Sequence, residues 1–256
     1  IIACRFNNEI KSLDYEIREE GTINLINGTN KDGKRIYVRG LTYIMSKAIN
    51  ELYKNALITV NYQLSNSLLC GIDNMNITEE MIKNIKEKME EIISKDLKIN
   101  KVMMTKQDAE IFYKRENNLR GRLQLDINAK PDVMLYYCEN YYNYFYGVMP
   151  ISTGYIKLFD IIKYGNRILL RYPSRQEPHK LAEFKPRPKM LKALDEYEEL
   201  HRVLNVNTVY KLNKKVKEGK IKETILVDEA LHEKKIANIA DKIARDKKVK
   251  MILIAG

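Results

Sequence analysis

Hydrophobic positions change spacing twice along the first third of the chain. Residues 1–6, 22–26 and 35–38 are short apolar or alternating runs separated by Asn-Gly and Asp-Gly pairs, a pattern that predicts strands joined by turns. Over 40–53 the apolar residues recur at helical spacing instead. The pattern therefore predicts a β-rich segment over 1–39, followed by a domain that opens with a helix.

Two further helices are predicted by their caps and apolar stripes. One runs over 78–94, with Thr78 as the N-cap and glutamates in the first turn, where acidic groups suit the helix dipole. The other begins at Thr105, whose spacing to Asp108 is that of a capping box. The residues that this second helix should bury are Ala109, Ile111 and Phe112.

Short apolar runs between and after these helices predict strands of the same domain. Together, helices and antiparallel-looking strands predict an α+β domain over 40–176, with an antiparallel sheet and packed helices. The predicted strands are 56–60, 122–126, 133–138, 154–162 and 167–172.

The last third of the chain changes character at a proline-rich stretch. Residues 173–189 hold four of the six prolines and predict an extended connector. Helices should follow at 190–204, 206–219 and 221–245, so that 177–247 forms a linker and helical connector. An apolar run at 249–255 predicts a final strand, within a separate segment 248–256.

Composition agrees with a globular chain and adds a charge. Of the 256 residues, 45% are hydrophobic and 31% are charged, and no apolar run reaches membrane-spanning length. The formal net charge of +11 indicates an anionic partner such as nucleic acid, nucleotide or an acidic protein, or else a solvated, lysine-rich surface. No membrane partner is predicted.

Cysteine and histidine usage argues against two kinds of site. The three cysteines are far apart and odd in number, which favours a reducing, cytoplasmic location and ordinary thiols over a disulfide framework. No histidine stands at ligand spacing from another histidine or a cysteine, so no metal site is predicted. The residues concerned are Cys4, Cys70, Cys138, His179, His201 and His232.

Two clusters have a functional and a structural interpretation each. Tyrosines crowd the stretch 136–146, where they either form a base-stacking platform or pack one face of a sheet. Arg167, Arg171 and Arg175 recur every four residues and either contact phosphate or form a solvated surface.

Two segments together have the layout of a metal-dependent hydrolase site without its ligands. They are the helix 40–53 and the turn within residues 145–160, FYGVMPISTGYIKLFD. Such a site would carry histidines one helical turn apart and cysteine or histidine in the turn. This chain has Tyr43 and Lys47 on the helix and Phe145 and Met149 in the turn.

The end of the chain, VKMILIAG, has the pattern of a strand that leads into a phosphate-binding loop. Gly256 would be the first glycine of that loop, while the lysine and serine or threonine of its signature are absent.

With these segments in place, the chain resembles bacterial uridine kinase-like nucleoside kinases that carry a threonyl-tRNA-synthetase-like front end. The resemblance implies a TGS-like β-grasp domain whose C-terminal part is 1–39, a synthetase editing-like second additional domain over 40–176, and a P-loop kinase domain beginning with 248–256. The carrying segments are RFNNEIKSLDYEI at 5–17, GLTYIMSKAINELY at 40–53, ITEEMIKNIKEKMEEIISKDLKI at 77–99, YFYGVMPISTGYIKLFDI at 144–161 and KVKMILIAG at 248–256.

Synthetase editing domains place His-x-x-x-His on the helix and Cys-x-x-x-His in the turn, lining a cleft that removes wrong amino acids from tRNA. By this resemblance the helix positions are Tyr43 and Lys47, and the turn positions are Phe145 and Met149. All four ligands are lost together, which implies that inherited editing chemistry is gone. The fold is expected to keep a pocket with Tyr43 and Lys47 on one wall, suited to an anionic or hydroxylated ligand.

These observations lead to one main hypothesis and two alternatives. The main one is a non-catalytic, regulatory or ligand-sensing region of an ATP-dependent nucleoside kinase, with nucleoside, ATP and Mg²⁺ used by the parent kinase and no cofactor in this region. The first alternative is a tRNA-binding or aminoacyl-tRNA deacylase module. The second is a structural platform for homo-oligomers.

Overall fold

A computed structural model describes residues 1–54, 56–73, 75–115, 118–127, 130–249 and 251–253, except the side chains at 119 and 120. The chain divides into two compact units, Ile1–Phe184 and Lys185–Gly256, and each is described by itself. The first unit mixes helices with three antiparallel sheets. The predicted α+β class is confirmed.

The first sheet comes from the start of the chain. Its strands are β1 (Ala3–Phe6), β2 (Glu9–Lys11) and β3 (Ile23–Ile26), in the order β2-β1-β3 with antiparallel pairing. Ile2 and Ile26 pack here against Ile36 of the following helix. The strands predicted over 1–6 and 22–26 are confirmed in outline.

The long helix α1 (Lys31–Leu52) replaces the strand predicted at 35–38, which is wrong. The side chain of Asn30 accepts a hydrogen bond from the Asp32 backbone N–H and starts the helix ahead of the predicted 40–53. Gly33 had suggested a turn, but a Cβ atom there would lie 1.9 Å from the Asn27 carbonyl oxygen, so close packing requires this glycine. The predicted boundary between 39 and 40 falls inside α1.

The second sheet combines strands from distant parts of the unit. It contains β4 (Ile58–Gln63), β5 (Ser67–Ile72), β9 (Asp160–Lys163) and β10 (Ile168–Arg171), in the order β4-β5-β10-β9. Its neighbour α2 (Glu79–Ser94) starts where predicted, because the Thr78 hydroxyl accepts a hydrogen bond from the Met81 N–H at 3.1 Å. The largest hydrophobic cluster is formed by residues of these strands together with α1 and α2.

The third sheet carries the tyrosine-rich stretch. It consists of β6 (Asn100–Thr105), β7 (Asp132–Cys138) and β8 (Tyr141–Asn143), in that order. Helices α3 (Lys106–Arg115) and α4 (Leu119–Ile127) follow β6 along the chain.

These two helices confirm one prediction and correct two others. The predicted capping box is present, since the Asp108 N–H donates to the Thr105 hydroxyl oxygen at 3.1 Å. The strand predicted over 122–126 is wrong, because this stretch is helical and Leu125 joins the cluster that contains Ala109 of α3. Ile111 was expected to be buried but is 64% exposed, and Tyr113 takes the buried position.

The second unit is helical where it is described. Its helices are α5 (Pro188–Val203), α6 (Val209–Lys217) and α7 (Ile221–Arg245), which confirms the predicted helices, and Gly219 has the positive φ of 72° expected at a helix stop. The described residues of 249–253 are not in a strand, contrary to prediction, and Gly256 lies outside the described residues. Within the described ranges, each helix is too short or too polar to span a bilayer.

Candidate functional site

Folding brings the four predicted site positions together. Helix α1 supplies Tyr43 and Lys47 one turn apart, and the loop after β8 supplies Phe145 and Met149. Tyr43 and Met149 belong to one buried cluster, against which Phe145 packs. We call the four residues the closed cluster. Its other buried neighbours are Ile99, Tyr136, Cys138 and Tyr141.

Tyr43 is fully buried, and its hydroxyl has protein partners. The hydroxyl donates to the Tyr141 carbonyl oxygen at 2.9 Å, and the Tyr136 carbonyl oxygen lies at 3.5 Å. Its ring meets Tyr141 and Phe145 edge to face, with centroid distances of 5.4 and 5.7 Å. Burial raises the pKa of Tyr43 well above its ordinary value. The phenol therefore stays neutral and acts as a packing and hydrogen-bonding group.

Lys47 is a buried ammonium with three acceptors. Its side chain is 3% exposed, and Nζ lies 2.7 Å from Glu51 Oε1 and 3.1 Å from Glu139 Oε2. The third acceptor is the Cys138 carbonyl oxygen at 3.4 Å. An ammonium group has three N–H donors, so these contacts use all of them.

The charge of Lys47 is maintained by its carboxylate partners. Burial by itself would lower the pKa of Lys47, but the hydrogen bonds to Glu51 and Glu139 outweigh burial and raise that pKa. The pKa of Glu51 is lowered in turn: burial would raise it, but hydrogen bonds from Lys47 and Lys88 prevail. A lysine held protonated in this way is neither a general base nor a metal ligand.

The pocket expected beside Tyr43 and Lys47 is filled by the closed cluster itself. Tyr43 is 0%, Lys47 2% and Met149 2% exposed and Phe145 is half-buried, which leaves neither Tyr43 nor Lys47 open to a ligand. Among the residues that the structure describes, no three His, Cys, Asp or Glu side chains are grouped so that they could hold a metal ion. The geometry at these positions therefore supports packing rather than water activation.

An open cleft of about 700 Å³ lies next to the closed cluster and shares Met149 with it. One side is built by residues 10–18, from the end of β2 into the loop that follows, and the other includes Lys101 and Tyr136 of the third sheet. Both signs of charge line it, from Lys11, Arg18, Lys101, Asp14 and Glu16. Sequence reasoning missed this cleft, because its two sides are far apart along the chain and share no motif.

A smaller cavity of about 80 Å³ lies beside α1 and was also missed. Ser46 and Asn50, one turn apart on α1, face Gln124 of α4 and Asn143 of β8 across it. These lining side chains are polar and uncharged, and they come from separate elements, so no sequence motif marks the cavity.

The three arginines predicted to contact anions have different surroundings. Arg171 is committed within the protein: Nη1 lies 3.0 Å from Asp160 Oδ2, and Nη2 donates to the Ala182 carbonyl oxygen. Arg175 is exposed, and Arg167 is half-buried. The charge of Arg175 also acts on a neighbouring lysine: burial of Lys34 and, to a smaller extent, the positive charge of Arg175 lower the pKa of Lys34. Of the three arginines, Arg175 is the exposed one that remains a candidate for phosphate contact.

Comparison with known proteins finds sequences similar to this chain. No protein-family model matches the chain. The probable cytoplasmic threonine–tRNA ligase of Enterocytozoon bieneusi is 29% identical over 209 residues, which are 76% of this chain and 32% of that protein. The threonine–tRNA ligases of Caldanaerobacter subterraneus and a Geobacillus species are 24% and 26% identical over 163 residues each. The chain is similar to threonyl-tRNA synthetases.

The similarity to threonyl-tRNA synthetases covers most of this chain but a minor part of the relatives. It takes in 63 to 76% of the chain. The same alignments span only a quarter to a third, 25 to 32%, of the synthetases' length. The synthetase-like part of the predicted resemblance is therefore supported, and these relatives are ligases rather than kinases.

Proposed function

We propose that this chain is a tRNA-binding module related to the editing region of threonyl-tRNA synthetases and that it does not hydrolyse aminoacyl-tRNA. The observation that argues against hydrolysis is the closed cluster. Where the resemblance places metal ligands, Tyr43 and Met149 are buried in a packed aromatic core and Lys47 is locked between two carboxylates.

The chemistry of ester hydrolysis explains why this cluster argues against catalysis. A deacylase needs a group that activates water, such as a metal ion or a base that is neutral at physiological pH. Tyr43 keeps its proton and Lys47 keeps its charge, since burial and ion pairing shift their pKa values away from the neutral range. Neither residue can take a proton from water.

Binding to tRNA is supported by charge and by the relatives. The net charge of +11 attracts a polyanion. The open cleft beside the closed cluster has three basic side chains against two acidic ones, namely Lys11, Arg18 and Lys101 against Asp14 and Glu16. The relatives are named as ligases of threonine and tRNA, so that tRNA is the polyanion that the similarity favours.

Binding and hydrolysis are tested on the same protein sample. Fluorescence anisotropy with labelled tRNA should show binding that weakens steeply with added salt, because phosphate contacts release counterions. A DNA duplex of similar length is the control and should bind more weakly at each salt concentration. Equal affinity for both would reduce the function to general polyanion binding, and no binding at low salt would refute the proposal.

Hydrolysis is followed with a mischarged aminoacyl-tRNA. We expect the ester to decay at the rate measured in buffer alone, both with the unmodified chain and with Lys47→Met. Faster decay that Lys47→Met abolishes would instead show a rearranged catalytic site.

The kinase part of the sequence hypothesis remains a prediction. In that hypothesis the chain is the regulatory or ligand-sensing region of an ATP-dependent nucleoside kinase that uses ATP and Mg²⁺. The sequence feature that supports the kinase is the segment 248–256. Gly256 lies outside the described residues, and the ligase relatives do not bear on it. The test is transfer of the γ-phosphoryl group from ATP to uridine by a protein that continues past Gly256, with and without tRNA.

A further inference from the structure

The two faces of the third sheet have different surroundings near the start of β6. On one face, Ile99 just before β6 joins Tyr136 and Cys138 of β7 in the buried core that surrounds the closed cluster. Side chains alternate along a strand, so Asn100 and Tyr137 point to the opposite face. Both of these residues are half-buried.

That opposite face carries a row of stacked rings. Tyr137 of β7 is paired in register with Tyr142 of β8, and their rings stack with a centroid distance of 5.3 Å and an angle of 17°. Tyr142 also stacks with Phe112 of α3, at 4.6 Å and 29°. The guanidinium carbon of Arg115 lies 5.0 Å from the Phe112 ring centroid. We call Tyr137, Tyr142 and Phe112 the aromatic row.

Helix α3 packs against the far end of this face. Val102 of β6 and Leu135 of β7 pack with Tyr113 of α3 in a buried cluster that Tyr142 borders. Tyr137 is not part of that cluster, and it is half-buried at the end of the aromatic row, so that part of its surface is open to solvent.

Polar groups suited to a nucleotide lie beside Tyr137. Asn100 is its register partner on β6, which is an edge strand of the sheet. An asparagine amide both donates and accepts, as the edge of a nucleobase requires. Lys98 precedes Asn100 by two residues and is exposed; its backbone pairs with Ser152, and its ammonium forms no ion pair with any residue that the structure describes.

We propose that an unpaired RNA nucleobase stacks on Tyr137, with Asn100 contacting the base edge and Lys98 the adjacent phosphate. The proposal rests on the proposed tRNA-binding function and adds to the open cleft a second contact surface, on the face of the third sheet opposite the closed cluster. Proteins that bind single-stranded RNA use an aromatic ring to stack on a base, polar groups such as an amide to contact the base edge, and a basic side chain to neutralise the phosphate charge.

The chain itself provides the first readout. It has 17 tyrosines and no tryptophan, so tyrosine emission reports directly on stacking of a base against a tyrosine ring. A single-stranded oligoribonucleotide added to the full chain should quench part of this emission. Tyr137→Leu keeps an apolar side chain but removes the ring, and should lose that part of the quenching.

Affinities of three variants test the roles separately. Tyr137→Leu should weaken binding of the oligoribonucleotide about five- to hundredfold, the range for loss of one stacked base, whereas the matched control Tyr137→Phe should bind as the unmodified chain does. Lys98→Ala should reduce the slope of log affinity against log salt by about 0.7, the loss of one phosphate contact on a single strand. Thermal unfolding of each variant shows that it is folded.

A crosslink identifies the contact independently of any substitution. An oligoribonucleotide carrying 5-iodouridine, irradiated with the unmodified chain, should attach to Tyr137, which peptide mass spectrometry locates. Attachment only to residues outside the third sheet would overturn the inference.

The outcomes separate this inference from the function on which it rests. If tRNA binds but Tyr137→Leu and Lys98→Ala leave its affinity and salt slope unchanged, the tRNA-binding function stands and the stacking surface is refuted. If the unmodified chain binds neither tRNA nor the oligoribonucleotide, both are refuted.

Discussion

Lys47 is the residue that most changes the interpretation of the candidate site. The sequence placed it one turn from Tyr43 and suggested the wall of a ligand pocket. The structure instead surrounds its ammonium with Glu51, Glu139 and the Cys138 carbonyl oxygen. Glu139 reaches it from the turn between β7 and β8, where its φ of 54° is a conformation that side chains rarely adopt. A buried cation at this point ties α1 to the third sheet.

Replacing Lys47 by methionine should destabilise the protein. The substitution keeps the length and apolar stem of the side chain but removes the charge, leaving Glu139 without this partner. Charge-assisted hydrogen bonds of this kind contribute about 1.5–3 kcal/mol, and partial hydration of the carboxylates keeps the expected loss at about 1–3 kcal/mol. Urea denaturation of both proteins measures it. An unchanged midpoint would show that the ion pairs contribute nothing to stability.

The same pair of proteins should show a defined pH dependence. The pKa of Lys47 is raised in the folded state, so its contribution is complete below the ordinary lysine value and is lost as pH rises through the raised pKa. The pKa of Glu51 is lowered, so its contribution is complete above the ordinary glutamate value and is lost as pH falls through the lowered pKa. The stability difference should therefore be largest between about pH 5 and pH 10. A difference that does not change with pH would contradict this assignment.

The cysteines should differ in reactivity. Burial raises the pKa of Cys70 to about 12 and that of Cys138 to about 11, whereas Cys4 is partly exposed. A thiol-specific reagent at neutral pH should therefore modify one cysteine quickly in the folded protein and all three only after unfolding. Cys4→Ser should abolish the fast phase. A fast phase that persists in this variant would show that the buried thiols become exposed.

At the scale of elements, helix α1 approaches the loop after β8 closely at Gly40. A Cβ atom on Gly40 would lie 2.6 Å from Pro150 Cγ and 2.9 Å from its Cδ. In an exposed helix, alanine in place of glycine would stabilise by about 1 kcal/mol. Here the clash outweighs that gain, because the proline ring lies in a buried position.

Gly40→Ala should therefore destabilise the protein by about 1–3 kcal/mol, measured by chemical denaturation. Pro150→Ala removes the two clashing ring atoms and serves as the matched partner in a double-mutant cycle. The double variant should be more stable than the sum of the two single effects predicts. Strict additivity would show that the helix and the loop do not meet at this point.

The predictions of helices and strands were correct where a local signal sets the element and wrong where tertiary packing decides between helix and strand. Thr78 and the Thr105–Asp108 pair start their helices as predicted, because caps depend on neighbouring residues. The run 122–126 alternates as a strand would, yet it is helical and packs Leu125 onto α3. Tertiary contacts of this kind override weak local preferences.

At the scale of the whole molecule, the buried core is confined to the first unit. The buried residues of the described chain end at Tyr172, and none lies in the described part of Lys185–Gly256. A protein ending at Phe184 should therefore fold by itself and keep the thermal midpoint of the full chain to within a few degrees. Calorimetry of both proteins measures this, and a loss of more than 10 degrees, a change of at least about 2.5 kcal/mol, would show that the helices of the second unit stabilise the first.

The sequence by itself determined the α+β class, the helices that start at strong caps, the helical second unit and the four residues that meet in the closed cluster. The fold class and the helices follow from the spacing of hydrophobic residues and from capping residues, which act over a few positions. The four cluster residues follow from the spacing of the motif in the family that the chain resembles. Only the tertiary structure decided that Tyr43 and Met149 of the cluster are buried, that Glu139 pairs with Lys47, and that Tyr137 is half-buried on the opposite face of the sheet. Each of these depends on residues distant in sequence filling the same volume, and burial and ion pairing between such residues leave no local pattern in the chain.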